Sequence, residues 1–314
     1  MEGKIRDVIM IGAGPSALAA AVYTTREGID TVLYEKAVIG GLAAITDQVD
    51  NYPGFPDGVP GLELADRLQK QAERFGAQIE YGDVSAIRDE GDVKVVTVDD
   101  QEVKARTVLI ATGSDYSKLG VPGEQEYYGR GVHYCATCDG AFYRDKRLVV
   151  VGGGNSGVQE ALFLTRFASH IDLLVRSTVK ASEVLQEQMK DFVDQGKVTI
   201  HLHTSVDEIT AKDGKVTGVR ATKDGQPTTF EADGVFVFIG LKPNTKFLEG
   251  SGVECDERGL IKTDEHLSTN LPGIYASGDV RSGATMQVAS AVGEGATAAL
   301  SIREYLDEWK HKNK

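Results

Sequence analysis

Val8-Ile9-Met10-Ile11-Gly12-Ala13-Gly14-Pro15-Ser16-Ala17 decides the fold. A β-branched apolar run enters a glycine turn, and an Ala-rich segment predicted to be helical to about Glu27 leaves it. In that strand-to-helix context each small residue has a task. The first glycine allows the tight turn, the second lets backbone approach a pyrophosphate, and the third small residue lets helix pack on strand. The helix N-terminus then offers unpaired N–H groups and partial positive charge to phosphates. A second strand, Thr31-Val32-Leu33-Tyr34-Glu35, completes the unit.

The pattern occurs twice. Leu148-Val149-Val150-Val151 turns through Gly152-Gly153-Gly154-Asn155-Ser156-Gly157, continues as a helix to about Ala168 and reaches the strand Ile171 to Arg176. Each copy later carries a turn signal, Asp99-Asp100 and Asp224-Gly225, and ends in an apolar strand running into glycine: Val108 to Gly113, and Val235 to Gly240. The repeat predicts an α/β protein with two Rossmann-like dinucleotide-binding domains, each a parallel sheet with helices and a small antiparallel layer. Beyond Lys242-Pro243-Asn244 no third copy begins. A strand near Gly273 to Ala276 and a helix from about Ala284 to Trp309 remain, too little to bury themselves. The tail is expected to return to the first domain, which makes that domain discontinuous (1–116 and 244–314) with the second inserted in it (117–243).

The residue ending the second strand of each copy separates the ligands. Glu35, 23 positions after Gly12, offers a carboxylate to both ribose hydroxyls of an adenosine. Arg176, 24 positions after Gly152, offers a cation that suits a 2′-phosphate. The first domain is therefore expected to bind FAD and the second NADPH; the alternative for Arg176 is a solvated surface charge.

Cys135-Ala136-Thr137-Cys138 lies at the start of the second domain, just before its glycine turn. The spacing puts two sulfurs within disulfide reach and favours a thiolate near neutral pH. Half of a zinc site is the other reading, but Cys255 is isolated and His133 is too close in sequence to complete a tetrahedron. Asp139 follows the pair, and its carboxyl either moves the proton that thiol–disulfide exchange requires or forms a turn with Gly140.

Composition bounds the rest. Apolar content of 41 % and charge of 26 % are those of a globular protein, and 314 residues suffice for two domains. A net charge of −13 gives no footprint for nucleic acid or an anionic membrane surface. No secretory signal is read in Met1-Glu2-Gly3-Lys4, and no apolar run is long enough to span a bilayer. Three cysteines make no disulfide framework, so a cytoplasmic protein is expected, in which a close cysteine pair is catalytic or metal-binding.

With Cys135-Ala136-Thr137-Cys138-Asp139-Gly140 followed by Gly152-Gly153-Gly154-Asn155-Ser156, the chain resembles the low-molecular-weight thioredoxin reductases of bacteria and archaea. The resemblance covers nearly the whole chain and includes Gly12-Ala13-Gly14-Pro15, Asn51-Tyr52-Pro53-Gly54-Phe55, Ala111-Thr112-Gly113 and Gly278-Asp279. It implies that FAD is held by Gly12, Gly14, Pro15, Ser16, Glu35, Gly41, Asn51, Thr112, Gly278, Asp279, Gln287 and Val288. Asp279 would contact the ribityl chain, and Gln287 would lie near the flavin at a helix start. NADPH would be held by Gly152, Gly154, Asn155, Ser156 and Arg176. Cys135 and Cys138 would be the redox pair, Cys138 nearer the flavin, with Asp139 as acid/base. The resemblance further implies a homodimer, a nicotinamide domain that rotates on linkers near Tyr116-Ser117-Lys118 and Leu241-Lys242-Pro243, and thioredoxin or a thioredoxin-like protein as substrate.

Three positions depart from that pattern. Val175-Arg176-Ser177-Thr178-Val179-Lys180 stands where His-Arg-Arg and a further Arg are usual. Leu42 replaces a Gln after Gly40-Gly41, and Met286 replaces an Arg before Gln287. Two of the three remove positive charge expected near the pyridine nucleotide. NADH, or a donor such as reduced ferredoxin, therefore stands beside NADPH. A flavin-binding redox sensor is the reading from another class; the complete second fingerprint argues against it, because a sensor needs no hydride site.

Overall fold

The computed structural model describes residues 4–46, 48–49 and 51–312; Met1-Glu2-Gly3, read above for a leader, lie outside them. The chain forms two compact units, one from the described residues up to Asp115 together with those from Lys242 onward, the other Tyr116–Leu241.

The first unit runs β1 (Ile5–Ile11), α1 (Pro15–Arg26), β2 (Thr31–Glu35), α2 (Gly41–Ala44), α3 (Gly61–Arg74), β3 (Gln78–Tyr81), β4 (Val84–Asp89), β5 (Lys94–Val98), β6 (Gln101–Ile110) and β7 (Ser114–Tyr116). The second runs β8 (Val132–His133), α4 (Ala136–Asp139), a 3₁₀ turn (Gly140–Tyr143), β9 (Arg147–Val151), α5 (Asn155–Leu164), β10 (His170–Leu174), α6 (Glu183–Asp194), β11 (Val198–His201), β12 (Thr204–Lys212), β13 (Lys215–Lys223), β14 (Gln226–Glu231) and β15 (Gly234–Val237), and β16 (Leu241–Pro243) carries the chain from the second unit back into the first. The tail adds β17 (Ile274–Ala276) and α7 (Val288–Lys312) to the first unit.

Both parallel sheets share one strand order. β3-β2-β1-β6 in the first unit corresponds to β11-β10-β9-β15 in the second, all parallel. β1 and β9 sit centrally and are buried on both faces, which is why they read as unbroken β-branched runs. Each unit adds an antiparallel layer: β4-β5 extends the first sheet beside β6, and β12-β13-β14 forms a separate sheet. Their turns carry left-handed residues at both central positions, Asp99 and Asp100 (φ 45° and 65°) and Asp224 and Gly225 (φ 48° and 78°). That is the backbone a two-residue hairpin needs to match strand twist.

β6 explains how the tail is captured. Residues 101–105 pair with β5, and the same edge beyond them, Val108 to Ile110, is left for β17. α7 then lies against α1, and Gly295 makes this possible, since a Cβ there would collide with the Ser16 carbonyl oxygen. Ala17, Ala20, Ala21, Ala298, Ala299 and Ile302 fill the seam.

Helix ends differ from the sequence reading. α7 starts at Val288 rather than Ala284 because Met286 is left-handed (φ 56°), which a helix cannot accommodate. α5 ends at Leu164 rather than Ala168, where i→i+3 bonds from Arg166 to Phe163 and from Phe167 to Leu164 tighten the chain into a turn. Among the described residues no helix is long and apolar enough to cross a membrane.

Gly295 and Gly293 form a matched test of this packing. Gly295→Ala is expected to destabilise the protein by about 1–3 kcal/mol through collision with backbone. Gly293→Ala, exposed on the same helix with open space at its Cβ position, should stabilise by about 0.5–1 kcal/mol. Denaturant titration of the two variants checks the opposite signs.

Candidate active site

In the first unit the glycine turn is tied to the end of β2. Glu35 accepts hydrogen bonds from the Ala13 N–H through Oε2 and the Ala37 N–H through Oε1, both at 2.8 Å. Gly12 (φ 95°) is required by its neighbours, because a Cβ would stand 2.6 Å from the Ala111 carbonyl oxygen. Gly14 is different. Its φ of −73° suits any residue, and a Cβ would meet nothing in the protein within 4 Å. The protein's own packing therefore does not demand glycine here; in a turn of this kind the middle glycine is the position that would let a phosphate approach the backbone. No side chain caps α1, and Pro15 opens it, so its first N–H groups point at that space.

Other sequence-read positions gather at the same place. A Cβ on Gly41 would be 3.7 Å from the Gly14 Cα, and one on Gly278 would be 3.2 Å from the Ser16 Cβ. Ser16 and Ser277 hydroxyls share a 2.6 Å hydrogen bond. Thr112 donates to the Asn244 carbonyl at 2.8 Å, and the Asn244 amide donates back to the Thr112 carbonyl at 3.0 Å. A cavity of about 620 Å³ opens here, bounded by Gly12, Glu35, Lys36, Asp83, Thr112 and Asn244. Asn51 donates to Gln287 at 3.0 Å although 236 positions separate them. Val288 packs with Val49, Val59 and Leu64.

Asp279 follows Gly278, whose N–H donates to Glu294 at 2.8 Å; Arg281 holds the same carboxylate through Nε and a terminal nitrogen, both at 2.8 Å. Burial, and secondarily the Glu294 charge, push Asp279 up to about 6.

The second unit repeats the cradle. Gly152 (φ 143°) and Gly157 are forced by backbone, since Cβ atoms there would collide with the carbonyl oxygens of Phe238 and Gly152 respectively. Gly154, like Gly14, has an ordinary φ (−87°) and open space. The Asn155 side chain accepts from the Ser182 N–H at 2.8 Å, fixing the segment after β10; Ser156 is exposed. Arg176 is exposed and, among the described residues, forms no ion pair.

Cys135 and Cys138 are joined as a disulfide, with Cα atoms 5.3 Å apart. Cys135 precedes α4 and its sulfur accepts from the Cys138 N–H at 3.2 Å. Gly140 lets this short helix seat on α5, where a Cβ would be 2.8 Å from Leu164. Tyr134 points the other way, donating to buried Glu124 at 2.7 Å. Asp139 turns toward His133, with Oδ2 3.2 Å from Nδ1. The far ring nitrogen of His133 lies 2.7 Å from the Tyr143 hydroxyl, and burial, followed by the charges of Asp139 and Asp233, pushes Tyr143 up to about 12.

Residues 6–295 match the model of the pyridine nucleotide-disulphide oxidoreductase family. The chain belongs to that family. Thioredoxin reductases of Listeria monocytogenes and Bacillus subtilis are each 44 % identical to it, covering 98 % of this chain and 96 % of theirs. The crystal structure of a thioredoxin reductase from Streptococcus pyogenes superposes with a TM-score of 0.91 at 39 % identity, covering 97 % of this chain and 99 % of that one. The expected α/β architecture with two Rossmann-like domains is the architecture of these structures, and this pyridine nucleotide-disulphide oxidoreductase carries its disulfide at Cys135–Cys138.

Sequence reasoning missed several partners in this family member. Asn244, Ser277, Arg281 and Glu294 support the first cradle, and His133 and Tyr143 back Asp139. None sits in a motif. Arg281 and Glu294 lie 13 apart, one in a loop and one in α7, so no helical or strand period links them.

Asp279 generates a pH test. Its folded value near 6 lies above the ordinary 3.8, so its contribution to stability is complete below 3.8 and is lost as pH rises through 6. In flavin-free protein, Asp279→Asn should therefore gain on wild type in melting temperature as pH goes from 4 to 7. A constant difference across that range would reject the assignment.

Proposed function

We propose that this chain is a thioredoxin reductase, an FAD-dependent enzyme that reduces the disulfide of thioredoxin or a thioredoxin-like protein with electrons from NADPH. The observation that carries the reading is the Cys135–Cys138 disulfide in a chain with two cradles, each with a middle glycine that protein packing does not require. A switch protein needs one nucleotide at most. Residues 1–116 with 244–314 are assigned to FAD and 117–243 to the nicotinamide.

The first cradle fits FAD. Unpaired N–H groups at the start of α1 would meet the pyrophosphate, with Gly12, Gly14, Pro15 and Ser16 shaping the approach. Glu35 would accept from ribose hydroxyls, and the cavity beside it has the size of a nucleotide site. Asp279 would serve the ribityl side and Gln287 would lie near the ring, with Thr112 at the Glu35 cavity, Gly41 and Gly278 beside the pyrophosphate turn, and Asn51 and Val288 among the remaining contacts. FAD, when bound, supplies a two-electron relay between nicotinamide and disulfide. The protein's part is to bind and orient that group, to hold the sulfurs, and to move protons at Asp139.

Gly152, Gly154, Asn155 and Ser156 would bind the nicotinamide dinucleotide, with Arg176 at the 2′-phosphate. NADH is the second reading, favoured by the exposure of Arg176 and by Ser177 and Thr178 in place of further cations. In the same reading the enzyme is cytoplasmic and homodimeric.

Cys138→Ser should retain bound flavin but lose multiple-turnover reduction of thioredoxin, followed as oxidation of the nicotinamide. A variant as fast as wild type would overturn the disulfide route. Arg176→Ala should raise KM for NADPH about tenfold, roughly the value of one charge-assisted contact, and leave KM for NADH unchanged. Equal KM values for both donors in the wild-type enzyme would select NADH as an equivalent reductant.

A further inference from the structure

His133 stands at the end of β8, two residues before Cys135, and is buried (5 % exposed). Its ring stacks on Phe236 with centroids 5.1 Å apart, and Tyr143 meets both rings edge-on. Gly234 makes room for Tyr143, because a Cβ there would collide with its ring. Asp139, His133 and Tyr143 thus stand in a line held in an aromatic layer, all within the second unit, with His133 Nδ1 at ion-pair distance from Asp139 and Nε2 hydrogen-bonded to Tyr143. Asp233, near Tyr143, is engaged by the Arg147 N–H at 3.0 Å and by Lys146 at 3.6 Å.

Hydrogen-bond roles follow from the partners. An ionised Asp139 can only accept, so the ring nitrogen facing it, Nδ1, would carry the proton, and Nε2 of the neutral ring would accept from the Tyr143 hydroxyl. Oδ2 of Asp139 is the oxygen that faces His133.

We propose that His133, backed by Tyr143, is a positioning residue that holds the Asp139 carboxylate through the proton transfers of thiol–disulfide exchange. This rests on the assignment of Asp139 as acid/base in the proposed function. In the exchange, one cysteine thiolate attacks the partner disulfide. A mixed disulfide forms, the partner S–S bond breaks, and its electron pair leaves on the departing sulfur, which takes the proton from Asp139. The second cysteine thiol then gives its proton back to Asp139. Its thiolate attacks the enzyme sulfur of the mixed disulfide, restores the Cys135–Cys138 bond and releases the second partner sulfur as a thiolate, protonated by water. Two electrons pass to the partner. Between the two transfers Asp139 is ionised, and the His133 N–H keeps it in place.

The test is a double-mutant cycle on the holoenzyme. His133→Phe keeps the stacked ring but removes both nitrogens. It should lower kcat for thioredoxin reduction about tenfold, less than the full worth of an acid/base group, with KM for thioredoxin unchanged. His133→Gln, which retains an N–H donor, should recover part of that loss, and the milder Tyr143→Phe should cost about threefold. In an Asp139→Asn background His133→Phe should cost nothing more. Wild-type kcat in His133→Phe, or the same loss with and without Asp139, would overturn the proposal. The same variants are mixed, after reduction with dithiothreitol and removal of excess, with dithiodipyridine in single turnover. That exchange uses the cysteines without a nicotinamide or protein partner. If wild type fails on thioredoxin yet the cycle still couples His133 to Asp139 in this assay, the proposed function falls and the role of His133 stands.

Discussion

Backbone approaching backbone without an intervening Cβ is the constraint on which this molecule depends. Gly295 brings α7 onto the carbonyl of Ser16, at the point where α1 begins. Gly12 and Gly152 bring their turns onto the strand ends at Ala111 and Phe238. Larger residues at these places would push helix from sheet and open the space that the N–H groups at the helix start are meant to face. The high glycine content is in part a consequence of these approaches; Gly14 and Gly154, by contrast, face open space rather than a contact within the protein.

The tail shows how a local edge is turned into a site. β6 is longer than its partner β5, so its last residues carry unpaired backbone groups that β17 satisfies. Closing that edge delivers Ser277, Gly278 and Asp279 to the first turn of α1, and the Arg281–Glu294 pair ties the delivered loop to α7. A charge pair that is partly buried and bidentate holds geometry better than an exposed one, and here it also leaves Asp279 next to a second carboxylate. In the second unit the equivalent task falls to an aromatic layer, in which Phe236, Tyr143 and His133 place a buried polar line behind Asp139.

Much of this was legible in the amino-acid order because it is local. The strand, turn and helix of each copy are encoded by runs of β-branched residues, by glycines at fixed offsets and by alanines, and the hairpins by Asp99-Asp100 and Asp224-Gly225. Glu35 was legible because strand length fixes its distance from the turn, and Cys135 and Cys138 because three positions of separation suffice for a bond. Helix ends were less so: Met286 takes a left-handed conformation that its side chain does not announce.

What the sequence by itself determined was therefore the repeated unit, the two cradles and the cysteine pair, each set by interactions among neighbours in the chain. Only the tertiary structure decided the company those groups keep: Asn51 with Gln287, Thr112 with Asn244, Arg281 with Glu294, His133 between Asp139 and Tyr143. These contacts join elements whose spacing along the chain follows no helical or strand period. They depend on which edge β17 found and which glycine admitted a ring, and those are properties of packed surfaces rather than of sequence order.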